Sequence, residues 1–197
     1  MVRPEQTEGP YFVDEKLNRS DIRSNPSDGA IKEGTQLRLK FNVSQVSASA
    51  CVPLVGAFVD VWHCDAEGVY SDVADRAVGF DTTGQKFLRG YQVTEANGSA
   101  EFTTIYPGWY QGRTVHIHFK IRTSLDSAGK EFTSQLFFDD ALSDEVFAQA
   151  PYAAKGQRST KNSTDGIYRS GGDQLTLSPT KEADGYAATF DIGLQMA

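Results

Sequence analysis

The sequence is sparing in the side chains that bind most metals, with three histidines and two cysteines in 197 residues. Cys51 and Cys64 cannot build a four-thiolate zinc knuckle, which needs a second pair. Basic residues are in deficit. Nineteen Lys and Arg face 26 Asp and Glu, a net charge of −7, and a chain without a basic excess is poorly suited to follow a phosphate backbone, so no nucleic-acid partner is expected. No apolar run approaches the ~20 residues of a membrane-spanning helix, so no membrane partner is expected. The opening "MVRPEQTEGPYF" also lacks the apolar centre of an export signal.

What the sequence has in quantity is period-2 alternation. "QLRLKFNV" puts Leu37, Leu39, Phe41 and Val43 on one face, and "VHIHFKI" sets Val115, Ile117, Phe119 and Ile121 opposite His116, His118 and Lys120. "AFVDVWH" alternates less cleanly, and further strands are expected at Phe87–Val93, Ala100–Ile105, Glu131–Phe138, Gln174–Leu177 and Tyr186–Gly193. Turn pairs separate them, among them Asp28-Gly29, Asn97-Gly98, Pro107-Gly108, Ala128-Gly129 and Asp165-Gly166. These features predict an all-β fold, an antiparallel β-sandwich with long loops and one or two short helices. One helix is expected over Ser143–Ala150 with Ser143 as its N-cap. Tyr11–Glu33 and Ser71–Gln85 read as long polar excursions, where binding groups tend to sit. At 197 residues a single domain, 1–197, is expected.

Several residues could carry chemistry. Cys51 and Cys64 bracket "CVPLVGAFVDVWHC" and are either inert core thiols or a disulfide contributing roughly 3 kcal/mol for a ~15-residue loop. On a strand, His116 and His118 share a face with their Cα atoms ~6.5–7 Å apart, which lets two imidazoles meet on one ion. An accidental His-x-His on an exposed strand is the plain alternative. "KIRTSL" lacks the glutamate of a cupin-type site, and His63 lies far upstream. Tyr70, ending "HCDAEGVY", and Tyr110, ending "YPGWY", are each ordinary packing residues when read alone. Taken with two neutral imidazoles, two phenolates make a hard dianionic donor set that suits ferric iron better than zinc or copper(I).

At this point the sequence resembles a family. "VDVWHCDAEGVYS", "FLRGYQVTEANGSAEFTTIYPGWY", "RTVHIHF" and "TSQLFF" are similar, in order, to the ferric intradiol ring-cleavage dioxygenases, and "QTEGPYF" resembles the family's entry segment. The resemblance implies a non-haem Fe(III) cofactor held by Tyr70, Tyr110, His116 and His118. It implies that Arg113 lies over a bound catechol and steadies negative charge, with Gln135 beside it. Tyr110 would leave the metal carrying a proton. Residues 1–33 would form part of the pocket wall through Thr7, Pro10 and Tyr11. The reaction implied is cleavage of a catechol-type diol between its hydroxylated carbons, with O2, to a cis,cis-muconate.

Departures from the family pattern carry expectations of their own. Only Gln111 and Gly112 separate Tyr110 from Arg113, which predicts a shallower, more open site, and Tyr106 stands where a basic residue is common. The usual helical dimerisation region is missing from the sequence, so a monomer or weak dimer is expected. Short relatives with paired cysteines are typically exported, which implies a Cys51–Cys64 disulfide and an extracellular or periplasmic setting. The rival reading is a non-catalytic β-sandwich module that binds an aromatic or carbohydrate ligand.

Overall fold

A computed structural model describes residues 2–126 and 129–195 of the chain, so Ala128 of the expected Ala128-Gly129 turn lies outside the described residues. Two sheets face each other. The first is centred on β1 (Gln36–Val46), which is flanked on one edge by β11 (Gly185–Gln195), itself paired with β10 (Thr180–Glu182). Along its other edge β1 pairs first with β7 (Ser99–Ile105) and then with β2 (Cys51–Pro53). The second sheet has the order β6 (Arg89–Val93), β3 (Phe58–Trp62), β8 (His116–Arg122), β9 (Glu131–Phe137). A small hairpin of β4 (Ala74–Asp75) and β5 (Phe80–Asp81) lies within the second polar excursion.

Alternation explains the core. Leu37, Leu39, Phe41 and Val43 of β1 are buried against Val59, Val61, Ile117, Phe119 and Ile121 of the facing sheet, with the Phe41 and Phe119 rings 5.3 Å apart. The opposite face of β8 is also buried, so His116, His118 and Lys120 point into covered space rather than solvent. Its cover is the N-terminal segment, which among the described residues forms no strand of its own and is tied down by isolated bridges at Asn18–Tyr91 and Asp21–Thr103.

The all-β expectation holds, and four details differ. β11 runs parallel to β1, so the sandwich is not purely antiparallel; side-chain periodicity reports which face a residue takes and not the direction of its neighbour. Gln174–Leu177 is not a strand. Gly172–Leu175 forms a 3₁₀ turn, and Thr176 alone bridges to Phe137. The helix α1 spans Asp140–Phe147, capped by Asp139, whose carboxylate accepts from the Ala141 and Leu142 backbone N–H groups. Ser143 is buried inside it, paired with the Tyr106 hydroxyl at 2.8 Å. Tyr106 is thereby a core residue that docks the helix.

The expected disulfide is the fourth correction. Cys51 and Cys64 are free thiols, one exposed at the start of β2 in the first sheet and the other buried. The chain between them includes all of β3, and an extended strand rising ~3.3 Å per residue carries its ends apart instead of closing a loop. Cys64 Sγ instead points at the Gly108 carbonyl, 3.5 Å away.

Candidate metal centre

The site is laid out along one cross-strand row. Arg89, Trp62, His118 and Gln135 sit opposite one another on β6, β3, β8 and β9, with Phe137 opposite His116 one step along. His118 lies flat against the Trp62 ring. The tyrosines arrive on loops. Beyond β3, the Asp65 carboxylate accepts from the Glu67 and Val69 N–H groups, both at 3.0 Å, and turns the chain back so that Tyr70 lies beside β3. Arg89 then holds the next residue through the Ser71 carbonyl. The second arm passes tightly under the first, since a Cβ at Gly108 would lie 2.4 Å from the Asp65 carbonyl oxygen; only glycine lets Tyr110 through there.

Four donor atoms converge. His116 Nε2 lies 3.1 Å from His118 Nε2, 3.1 Å from the Tyr110 hydroxyl and 3.4 Å from the Tyr70 hydroxyl. His116 Nδ1 is 2.7 Å from the Thr114 carbonyl, which can only accept, so the ring proton is on Nδ1 and Nε2 presents a bare lone pair. Burial holds both imidazoles neutral: His116 is pushed down to about 3 by desolvation and then by Arg113, and His118 falls well below its ordinary value by desolvation and then by His116. His118 Nδ1 has no hydrogen-bond partner, so no contact outside the cluster fixes that ring's proton, and deprotonated at Nε2 it would offer a second nitrogen to a cation beside His116 Nε2. Burial also raises the Tyr70 and Tyr110 phenols well above their ordinary range, so each phenolate forms only opposite strong positive charge. Among the described residues, no group of three or more His, Cys, Asp or Glu could hold a metal, so a metal set here has to include the phenols.

Arg113 borders this cluster. Its NH2 donates to Gln135 Oε1 at 2.6 Å and its Nε to Asp165 Oδ2 at 2.8 Å, leaving NH1 3.5 Å from His116 Nε2. Gln135 in turn donates to the Thr7 carbonyl at 2.9 Å. Tyr11 stacks on Tyr70 with ring centroids 4.6 Å apart, and burial followed by its hydrogen bond to Asp75 raises its phenol to about 12. Pro10 is exposed in the turn before Tyr11. Gln111 and Gly112 are both exposed, and nothing lies within 4 Å of a Cβ placed at Gly112, so the rim is open on that side. His63 stands apart, with Nδ1 on the Cys64 carbonyl and Nε2 on the Thr104 hydroxyl.

Two participants escape a reading of the sequence. Asp165, seen there only as half of a turn pair, is buried beneath Arg113. Gly9 approaches His118 so closely that a Cβ would lie 3.2 Å from its Cε1.

A family model described as "Dioxygenase" matches residues 7–195. The chain belongs to the intradiol ring-cleavage dioxygenase family. An intradiol ring-cleavage dioxygenase of Tetranychus urticae superimposes with a TM-score of 0.83 at 30% identity, covering 99% of this chain and 94% of that one. The dioxygenase domain of a carbohydrate-binding fusion protein from Streptomyces sp. SirexAA-E covers 100% of both chains at 28% identity, with a TM-score of 0.67. Catechol 1,2-dioxygenase 1 of Acinetobacter lwoffii is 30% identical over 176 residues, which are 75% of this chain and 50% of that enzyme. The chain thus spans about half the length of this curated relative. Intradiol dioxygenases are typically dependent on non-haem Fe(III).

Proposed function

We propose that the protein is a non-haem Fe(III) intradiol dioxygenase that cleaves catechol-type diols between the two hydroxylated carbons, adding both atoms of O2 to give a cis,cis-muconate-type product. The carrying observation is the convergence of the His116 and His118 Nε2 atoms and two phenols, with the other three donors within 3.1–3.4 Å of His116 Nε2. Tyr70, Tyr110, His116 and His118 would hold the metal, and two phenolates would offset two of its three positive charges in a largely buried setting. When bound, ferric iron supplies the Lewis acidity that draws electron density from a catecholate and readies the ring for O2.

The remaining work falls to side chains. Tyr110 is half-buried where Tyr70 is fully buried, so its Oη is the phenol free to swing out and take a proton from a catechol hydroxyl. Arg113, pinned through Nε and NH2, aims NH1 at the space beside His116, where it would stabilise negative charge on the bound diol. Gln135 fixes Arg113 and clips down Thr7, while Tyr11 closes the wall over Tyr70. All oxygen in the added pair ends in the product, so no external reductant enters the balance.

A non-catalytic module is the weaker reading, because binding a sugar or an aromatic ring gives no reason to gather two buried imidazole Nε2 atoms and two phenols at one point. Ferric loading tests the proposal. Protein supplied with Fe(III) should turn red-brown through tyrosinate-to-iron charge transfer, and Tyr70→Phe or His118→Ala should bleach it. A wild-type protein that stays colourless after iron is supplied would contradict it.

A further inference from the structure

We infer that Asp165 is a positioning residue serving two branches of the site at once: it fixes the Arg113 guanidinium directly, and it fixes the His116 ring through the Thr114 peptide. The inference rests on the metal and substrate roles proposed above for His116 and Arg113.

Asp165 is 1% exposed, and both of its oxygens are doubly engaged. Oδ2 accepts from Arg113 Nε and from the Thr114 backbone N–H, each at 2.8 Å. Oδ1 accepts from the Ile167 and Tyr168 N–H groups at 2.7 and 2.9 Å. A buried carboxylate with four donors has no lower-energy orientation to rotate into, so it acts as a fixed post. The first branch runs to the substrate side. With Nε on Asp165 and NH2 on Gln135, the guanidinium plane is set by two points and NH1 is left pointing towards His116 Nε2. The second branch runs to the metal side. Thr114 is held at its N–H by Asp165 and at its hydroxyl by Asn162 Oδ1, and its carbonyl receives the His116 Nδ1 proton. An outer partner of this kind sets both the tautomer and the ring angle of a ligating histidine.

A purely structural role, anchoring the loop at 161–168, is the competing account, and the two differ in how substitutions combine. Asp165→Asn should lower kcat for catechol by roughly tenfold or more and speed iron release to a chelator by about 10–100-fold, the range for lost outer-shell partners. Arg113→Ala should lower kcat without speeding iron release. In the double variant, Asp165→Asn should add a smaller loss of kcat than it causes alone, because its Arg113 branch is gone while its His116 branch remains, and it should still speed iron release. Full multiplication of the kcat losses, or iron release unchanged by Asp165→Asn, would overturn the inference. Should the Asn variant not fold, Asp165→Glu keeps the charge while moving the carboxylate, and it should shift both readouts in the same directions; wild-type values for both would overturn the inference. Loaded wild-type protein with no turnover would instead defeat the proposed activity, while iron release would still test the Thr114 branch.

Discussion

Trp62 lies parallel to the His118 imidazole, with ring centroids 5.0 Å and planes 7° apart, so the ring that offers Nε2 to the cluster is held from behind by an indole. Phe12 of the N-terminal segment packs against the same indole, with ring centroids 4.8 Å apart. Indole and entry segment together confine the plane of the His118 ring.

Removing the indole should therefore act twice. Trp62→Ala is expected to destabilise the fold by about 3–5 kcal/mol, the usual loss for a large buried aromatic, and to release iron faster because the His118 ring can turn. Trp62→Phe should keep most of the packing and show a smaller effect on both. Urea unfolding of the metal-free protein and chelator competition of the loaded protein measure the two separately.

The three histidines make the metal-free protein sensitive to acid. Burial lowers His63 to about 4 and His116 to about 3, and it also lowers His118, while in the unfolded chain each titrates near 6.5. Below that value the unfolded state binds more protons than the folded one, so stability present above pH 6.5 is lost as pH falls towards 4. The expected slope is ~1.4 kcal/mol per pH unit for each histidine fully engaged. Urea midpoints of the metal-free protein between pH 7.5 and 4.5 should fall accordingly, and His63→Gln should make the fall shallower.

Gly9 couples the entry segment to the site. It has a φ of +72°, and its missing Cβ leaves room for His118 Cε1. Gly9→Ala should cost about 1–2 kcal/mol from the left-handed backbone and press on the His118 ring. The expected signature is a weakened and shifted visible band in the ferric protein, with the fold retained by circular dichroism.

Asp139 is a cap that a purely structural test can reach. Asp139→Ala removes the acceptor for the Ala141 and Leu142 N–H groups and should lower stability by about 1 kcal/mol. Catechol turnover in the folded protein should be unchanged.

Much of this arrangement was legible in the sequence because it depends on local periodicity. The alternation of "VHIHFKI" already placed His116 and His118 on one face, and the structure adds that this face is covered. The resemblance named the two tyrosines, which reach the histidines through loops whose path no periodicity encodes. Asp165 was illegible for the same reason: it lies 52 residues from Arg113 and is a partner only in three dimensions. The cysteines misled because the resemblance implied a disulfide, while the strand already read in "AFVDVWH" carries the chain between them from one sheet to the other. Ser143 misled as a helix cap because Asp139, four residues earlier, offers a carboxylate to the free N–H groups, while the Ser143 hydroxyl turns inward to Tyr106.

The central claim is the position of ring cleavage, and one measurement reaches it most directly. Ferric-loaded protein would be given catechol under ¹⁸O2 and the product identified by mass spectrometry. A cis,cis-muconate carrying two labelled oxygen atoms is the predicted result. A semialdehyde cut beside the hydroxylated carbons, or an intact ring with no oxygen consumed, would contradict the account.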